Sequence, residues 1–195
     1  MGGNLILHDQ RVKRVEDPHF KKLIDEHFNR NVIVTNGGTS LSIAFGAIND
    51  FANKNGKIDY LFIMCHGFES TWKMGEISWL AGGLGMQLGM ENLLAINVHL
   101  WTLIKNAARN IVVFACGAAG TQPGGAGFPN EDGKILLQDL AKFTNATVYG
   151  ANVTQYYKPT TLETKPWEGT LYCFLSSGNY FPVPPGTIAN SLGVF

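Results

Sequence analysis

The sequence predicts an α/β domain: a three-layer α/β/α sandwich built around a mostly parallel central sheet. Three observations carry that expectation. Short runs such as Tyr60-Leu61-Phe62-Ile63-Met64-Cys65 and Asn110-Ile111-Val112-Val113-Phe114-Ala115 are continuously apolar, as strands covered on both faces are. Helical patterns lie between these runs, which is the alternation that βαβ units require. Finally, 195 residues that are 45% apolar and 15% charged suffice for one substantial core but not comfortably for two. The chain therefore reads as a single domain, 1–195, with 1–30 as an N-terminal extension and 156–195 as a C-terminal hairpin region.

In chain order, Leu5-Ile6-Leu7 is expected as an edge strand. Asp17-Pro18 opens a helix over 18–29, with Phe20, Leu23, Ile24 and Phe28 as its apolar stripe. The polar character of this region places its histidines, His8, His19 and His27, at the surface. Val32-Ile33-Val34-Thr35 is expected as the first central strand. Asn36-Gly37-Gly38 then turns the chain, and Thr39 or Ser40 caps a helix running to about Asn53. The next strand, 58–65, delivers His66, and residues 67–90 suit a short hairpin or flap. The glycines Gly83, Gly85 and Gly89 do not have G-x-G-x-x-G spacing, and no strand feeds them, so a phosphate loop is disfavoured.

From Glu91 to about Ala107 the pattern predicts the strongest helix, apolar around most of its girth, with His99 packed on the sheet. The strand ending at Ala115 follows. Residues 117–133 form a loop rich in glycine and proline, of a length that tends to be functional. Lys134–Thr144 is expected as a helix and Thr147–Ala151 as a strand. A long connection then leads to a terminal hairpin with arms near 169–175 and 180–183.

Fifteen basic and 15 acidic side chains give no net charge, which disfavours nucleic acid as a partner, since backbone binding requires many phosphates to be neutralised. The basic cluster Arg11, Lys13, Arg14 reads as a solvated face. Three cysteines with no framework or zinc spacing suggest reduced thiols and no metal or other cofactor. Without a recognisable signal peptide or a long apolar run, the expected setting is cytoplasmic, with no membrane partner.

The chemistry is expected at two strand ends. In a parallel sheet the strands ending in His66-Gly67 and in Cys116-Gly117 present their carboxyl ends at one edge, where open α/β sheets bind ligands. A thiol where a strand meets a glycine loop, with an imidazole on a neighbouring strand, is a candidate nucleophile and base. Cys65 and Cys173, inside apolar runs, read as small core hydrophobes. No G-x-S-x-G elbow occurs, and the residue two before Cys116 is Phe114, which removes a G-x-C-x-G elbow as well.

A strand ending in His-Gly followed by one ending in Ala-Cys-Gly resembles the caspase-like cysteine peptidases (clan CD), which have a local signature with the histidine about 50 residues upstream of the cysteine. The likeness spans roughly 30–155 and is nearer the bacterial members than the animal caspases. It implies the caspase-hemoglobinase-like fold and endopeptidase activity on protein or peptide substrates through an acyl-enzyme. It makes Cys116 the nucleophile, His66 the acid/base, and the backbone N–H groups of Gly67 and Cys116 the oxyanion donors. In the family a backbone carbonyl commonly orients the histidine. The substrate-binding set would comprise Asn36, Phe114, Ala115, Asn152 and Thr154. None is charged, so an uncharged residue is expected before the scissile bond.

The glycine-rich loops 67–90 and 117–133 suggest a resting form that an activating ligand or partner triggers, in keeping with a bacterial defence or cell-death effector. Glu131-Asp132 is a thin calcium site at best. The competing expectations are a catalytically inactive caspase-like binding or scaffold domain, and a nucleotide-binding α/β domain.

Overall fold

A seven-stranded sheet forms the centre of the computed structural model, which describes residues 2–12, 25, 28–68, 85–115, 117–120, 133–153, 169–184 and 186–188. Its strands are β1 (Asn4–Asp9), β2 (Val32–Thr35), β3 (Ile58–Met64), β7 (Ala108–Phe114), β8 (Thr147–Ala151), β9 (Leu171–Phe174) and β10 (Tyr180–Val183). Their spatial order is β10-β9-β8-β7-β3-β1-β2. The pairs β2/β1, β1/β3, β3/β7 and β7/β8 are parallel, and only β9 is reversed. A second, three-stranded antiparallel sheet holds β4 (His66–Phe68), β5 (Gly85–Gln87) and β6 (Leu93–Leu94). The fold is therefore mixed α/β with a mostly parallel main sheet.

Both faces of the central strands are buried, as their continuous apolar runs require, and the alternation along each strand sorts the core in two. Leu5 and Leu7, Leu61 and Ile63, and Ile111 and Val113 face one side. There they meet helix α1 (Leu41–Asn55), a 3-10 helix (Val98–Ile104) and helix α2 (Gly133–Thr144). Ile6, Phe62, Met64 and Val112 face the other side, where Phe28 and Ile188 cover them. The helices α1 and α2 thus pack on the same face of the sheet.

The helix α1 starts at Ser40, whose Oγ accepts from Ser42 N–H at 3.3 Å. Glu91 completes the cap from outside: Ser40 Oγ donates to it at 2.6 Å and Leu41 N–H at 2.8 Å. Burial works to raise the Glu91 pKa, but these donors outweigh it and hold the carboxyl below its ordinary range, as suits an anion at a helix N-terminus. At the start of α2, a Cβ on Gly133 would run into the carbonyl oxygens of Ala118 and Gly120, so the loop after β7 and the helix approach more closely than a side chain permits.

Four expectations need correction. The strand containing Leu5-Ile6-Leu7 is interior, between β2 and β3, with those residues at most 2% exposed. Conversely Val32–Thr35 is an edge strand, and Val34 is 38% exposed. The helix expected over 91–107 is replaced by β6 and the 3-10 helix. Asn97 is the reason: its Oδ1 accepts from Leu94 N–H at 2.8 Å and its Nδ2 donates to the carbonyls of Glu91 and Asn92, taking groups that a helix would use. Asn92 also sits at φ +59°, and Leu93 pairs with Met86. Within the 3-10 helix the buried residues Val98, Trp101 and Ile104 recur every third position, as three residues per turn demand. His99 falls between them and is exposed, not packed on the sheet. The helix expected over 18–29 lies almost wholly outside the described residues.

Other elements agree with expectation. The strand over 58–64, the helices at 41–55 and 133–144, the strand at 147–151 and the terminal hairpin, which turns through Gly178 at φ +101°, all form. The hairpin foreseen after His66 is present at its base, where β4 pairs with β5. No helix among the described residues is long and apolar enough to cross a membrane.

Candidate active site

The carboxyl edge of the sheet is set by the register of β3 against β7, which runs from Ile58 opposite Ala108 to Met64 opposite Phe114. Cys65 N–H still reaches Phe114 O at 3.4 Å. Beyond that row Cys65 and Ala115 both turn into the helix-side core, at 3% and 2% exposure. Met64 and the partly buried Phe114, whose ring stacks on Phe62 at 5.8 Å, belong to the opposite face. His66 follows Met64 by two residues, and position 116 follows Phe114 by two. Cys116 itself lies outside the described residues, as do Thr154 and the pair Glu131-Asp132. Its neighbour Gly117 is fixed, with φ +58° and its N–H donating to Val153 O at 3.1 Å.

His66 opens β4, where it faces the buried Gln87, while Gly67 faces Met86 and is buried. Its ring reaches back over the end of β1: Nε2 lies 3.2 Å from Arg11 O. A carbonyl oxygen only accepts, so Nε2 carries the hydrogen and Nδ1 is the basic nitrogen of the neutral ring.

Below that carbonyl is a polar cluster that the sequence did not announce. Asp9 is fully buried and holds Arg11 in a two-pronged pair, Arg11 Nε to Oδ1 at 2.7 Å and Nη2 to Oδ2 at 2.6 Å. Its Oδ1 also accepts from Arg11 N–H at 3.1 Å, and its Oδ2 from Gly89 N–H at 2.9 Å and Thr35 Oγ1 at 3.3 Å. Arg11 Nη2 donates to Gly89 O at 2.9 Å. Burial pushes the Asp9 pKa up, but the side-chain and backbone bonds from Arg11, the Gly89 N–H and the Arg11 charge together bring it below the carboxylate range. The expected solvated face at Arg11 is therefore corrected: its guanidinium is paired and mostly covered. One row back, His8 is fully buried beside Met64, and burial, only partly opposed by the Asp9 charge, lowers its pKa to about 4. This overturns its expected surface position.

The substrate-binding residues expected from the sequence are not all brought together. Asn36 follows β2, two strands from β3 and thus about 10 Å from it along the sheet. Its Oδ1 accepts from Gly38 N–H at 2.8 Å, within its own turn. Ala115 is in the core and presents no side-chain surface. Asn152 follows β8, where its Oδ1 accepts from Thr170 N–H at 2.8 Å and serves the junction with β9. Phe114 alone of the described set combines partial exposure with a place beside β3.

The described thiols are unreactive by setting. Cys65 is sealed in the helix-side core, and Cys173 faces Tyr149 across β8 and β9. Burial raises the Cys173 pKa, only partly offset by the Tyr149 hydroxyl that donates to it. No group of three potential metal ligands occurs among the described residues. The chain matches no family model and none of the curated proteins.

Proposed function

We propose that this chain is a cysteine endopeptidase of the caspase-like type, with Cys116 and His66 as its catalytic pair. The observation that carries the reading is the parallel register, which sets Met64 opposite Phe114 and so leaves histidine and cysteine equal steps past one row. The strand order supports it: the parallel part reads β2-β1-β3-β7-β8, so the β1/β3 boundary is a switch point, where α/β sheets bind ligands. The contact of Nε2 with Arg11 O supplies the carbonyl that orients the ring.

In this reading the Cys116 thiolate attacks the carbonyl carbon of a peptide bond, and backbone N–H groups at Gly67 and Cys116 stabilise the oxyanion. The protonated ring gives its Nδ1 proton to the leaving amine as the C–N bond breaks, which leaves a thioester. Water, deprotonated by the same nitrogen, hydrolyses that ester and restores the thiol. Arg11 has its charge taken up by Asp9, which favours an uncharged residue before the scissile bond.

An active-site-directed thiol probe and a fluorogenic peptide library test the reading on the whole chain. Labelling and hydrolysis lost in Cys116→Ala and His66→Ala but kept in Cys65→Ala support it. Absence of labelling with and without cell extract would instead point to a scaffold domain. The nucleotide-binding alternative is weakened by Gly89, whose N–H already serves the Asp9 carboxylate and is not offered to a phosphate.

A further inference from the structure

The Asp9 carboxylate does more than neutralise Arg11. Its two oxygens accept from two backbone segments that lead to His66. One is Arg11, whose N–H meets Oδ1 and whose carbonyl meets the ring. The other is Gly89, whose N–H meets Oδ2 two residues after Gln87, the strand partner of His66. Arg11 closes the loop by donating to Gly89 O. The 9–12 turn is further pinned by Val12 N–H to Asp9 O at 3.1 Å and by Gln10 N–H to Thr35 O at 3.0 Å. Gly89 adopts φ +61°, and a Cβ there would come within 2.8 Å of Thr39 O, so the close approach needs glycine.

We propose that Asp9 is the positioning residue of the catalytic histidine: one buried carboxylate fixes both the carbonyl that orients the His66 ring and the strand pair that carries it. This rests on the peptidase reading for its consequence, but the orientation of the ring is measurable without any substrate. The physical reason is economy of reference points. A ring held by one hydrogen bond from a free turn would swing with that turn. Tied through a buried, charge-assisted pair, it is held to the main sheet itself. The role differs from that of a carboxylate touching the imidazole, because Asp9 acts through backbone. Among the described residues, the charged and titratable groups facing this carboxylate are Arg11 and His8, and both remain in the conservative variant below.

Asp9→Asn keeps the shape and one acceptor but removes the charge and the fork. Two readouts on the full chain decide the matter. The first is the nitrogen chemical shifts of the His66 ring, which report the tautomer. Wild type should show hydrogen on Nε2, and Asp9→Asn a mixture of tautomers. The second is the rate of Cys116 alkylation against pH. Misplacing a reacting group by about 1 Å costs about 100-fold, so a fall of about 10-fold to 100-fold near neutrality is expected, with an altered pH profile.

The same substitution placed in a His66→Ala background should have no further effect on alkylation, because Asp9 acts only through that ring. If Asp9→Asn does not fold, Arg11→Lys takes its place: it keeps the charge, loses the fork and should shift both readouts the same way, by less. Ring nitrogens unchanged from wild type in a folded variant would overturn the proposal, as would an equal fall in the His66→Ala background. The peptidase reading fails separately, if wild-type Cys116 alkylates no faster than in His66→Ala while the tautomer still responds to Asp9.

Discussion

Two buried polar groupings flank the sheet, and they are built differently. At the end of β1, Asp9, Arg11, Thr35 and Gly89 form a charged cluster in which each Asp9 oxygen meets more than one donor, and His66 rests on its rim. Across β8 and β9, Tyr149 and Cys173 form a neutral pair whose pKa values burial drives upward, Tyr149 to about 12. The first arrangement stabilises an ionised group inside the protein; the second keeps two ionisable groups protonated. On the proposed peptidase reading, reactive chemistry belongs with the first, because an enzyme holding a thiolate needs fixed dipoles and oriented proton carriers.

The sharpest way to break that comparison is to remove the two groups proposed to react. His66→Ala or Cys116→Ala should lower peptide hydrolysis by about 1,000-fold, whereas Cys173→Ala should leave it unchanged, as measured by initial rates on the same fluorogenic peptide. Equal losses from both sides would mean that the two groupings do not differ in function.

Next in size is the clamp itself. Asp9→Ala leaves the Gly89 N–H without its acceptor and the guanidinium without its carboxylate, and breaking a buried pair from one side costs about 3 to 5 kcal/mol. Arg11 keeps some contact with solvent, so the lower end, about 3 kcal/mol, is expected in urea unfolding. No comparable loss should follow Tyr149→Phe or Cys173→Ala.

Acid should act on the same region. His8 has its pKa lowered to about 4 in the folded chain, while an unfolded histidine titrates near 6.5. Between those values the unfolded chain binds the extra proton, so stability falls as pH drops through that window, by about 3 kcal/mol in all. Asp9 adds to this later: its pKa is depressed, so its contribution is present above the ordinary carboxylate range and disappears only as the carboxyl protonates below it. Urea midpoints at pH 7 and pH 4.5 should differ much less in His8→Leu than in wild type. An unchanged difference would place the acid sensitivity elsewhere.

Much of the frame was legible because continuous apolar runs such as 60–65 and 110–115 have few other uses than central strands. The pairing of those two strands, and with it the edge where His66 sits, also followed from their form. What was hidden shares one cause: polar side chains whose partners are distant in sequence. Leu5-Ile6-Leu7 looked like an edge because His8 and Asp9 cut the apolar run short, yet both are buried, and Asp9 is satisfied by Gly89 some 80 residues away. The same holds for Arg11, which a local reading assigns to solvent. Asn97 shows the reverse case, in which one local side chain overrides an apolar pattern that favours helix.

The smallest expected effect probes the neutral pair on its own terms. In Tyr149→Phe the ring and its packing remain and only the hydroxyl is lost, so the cost in stability should be about 1 kcal/mol, that of one buried hydrogen bond. The thiol should respond in a direction that a charged site would not show. The Tyr149 hydroxyl donates to Cys173 and favours its thiolate, partly against burial, so without it Cys173 becomes still harder to ionise. Alkylation of Cys173 in the folded chain, followed by mass spectrometry at alkaline pH, should therefore slow in Tyr149→Phe. Faster labelling would mean that the loss opens the β8–β9 junction to solvent, and the neutral pair would then be a seal on the sheet's flank in addition to a hydrogen bond.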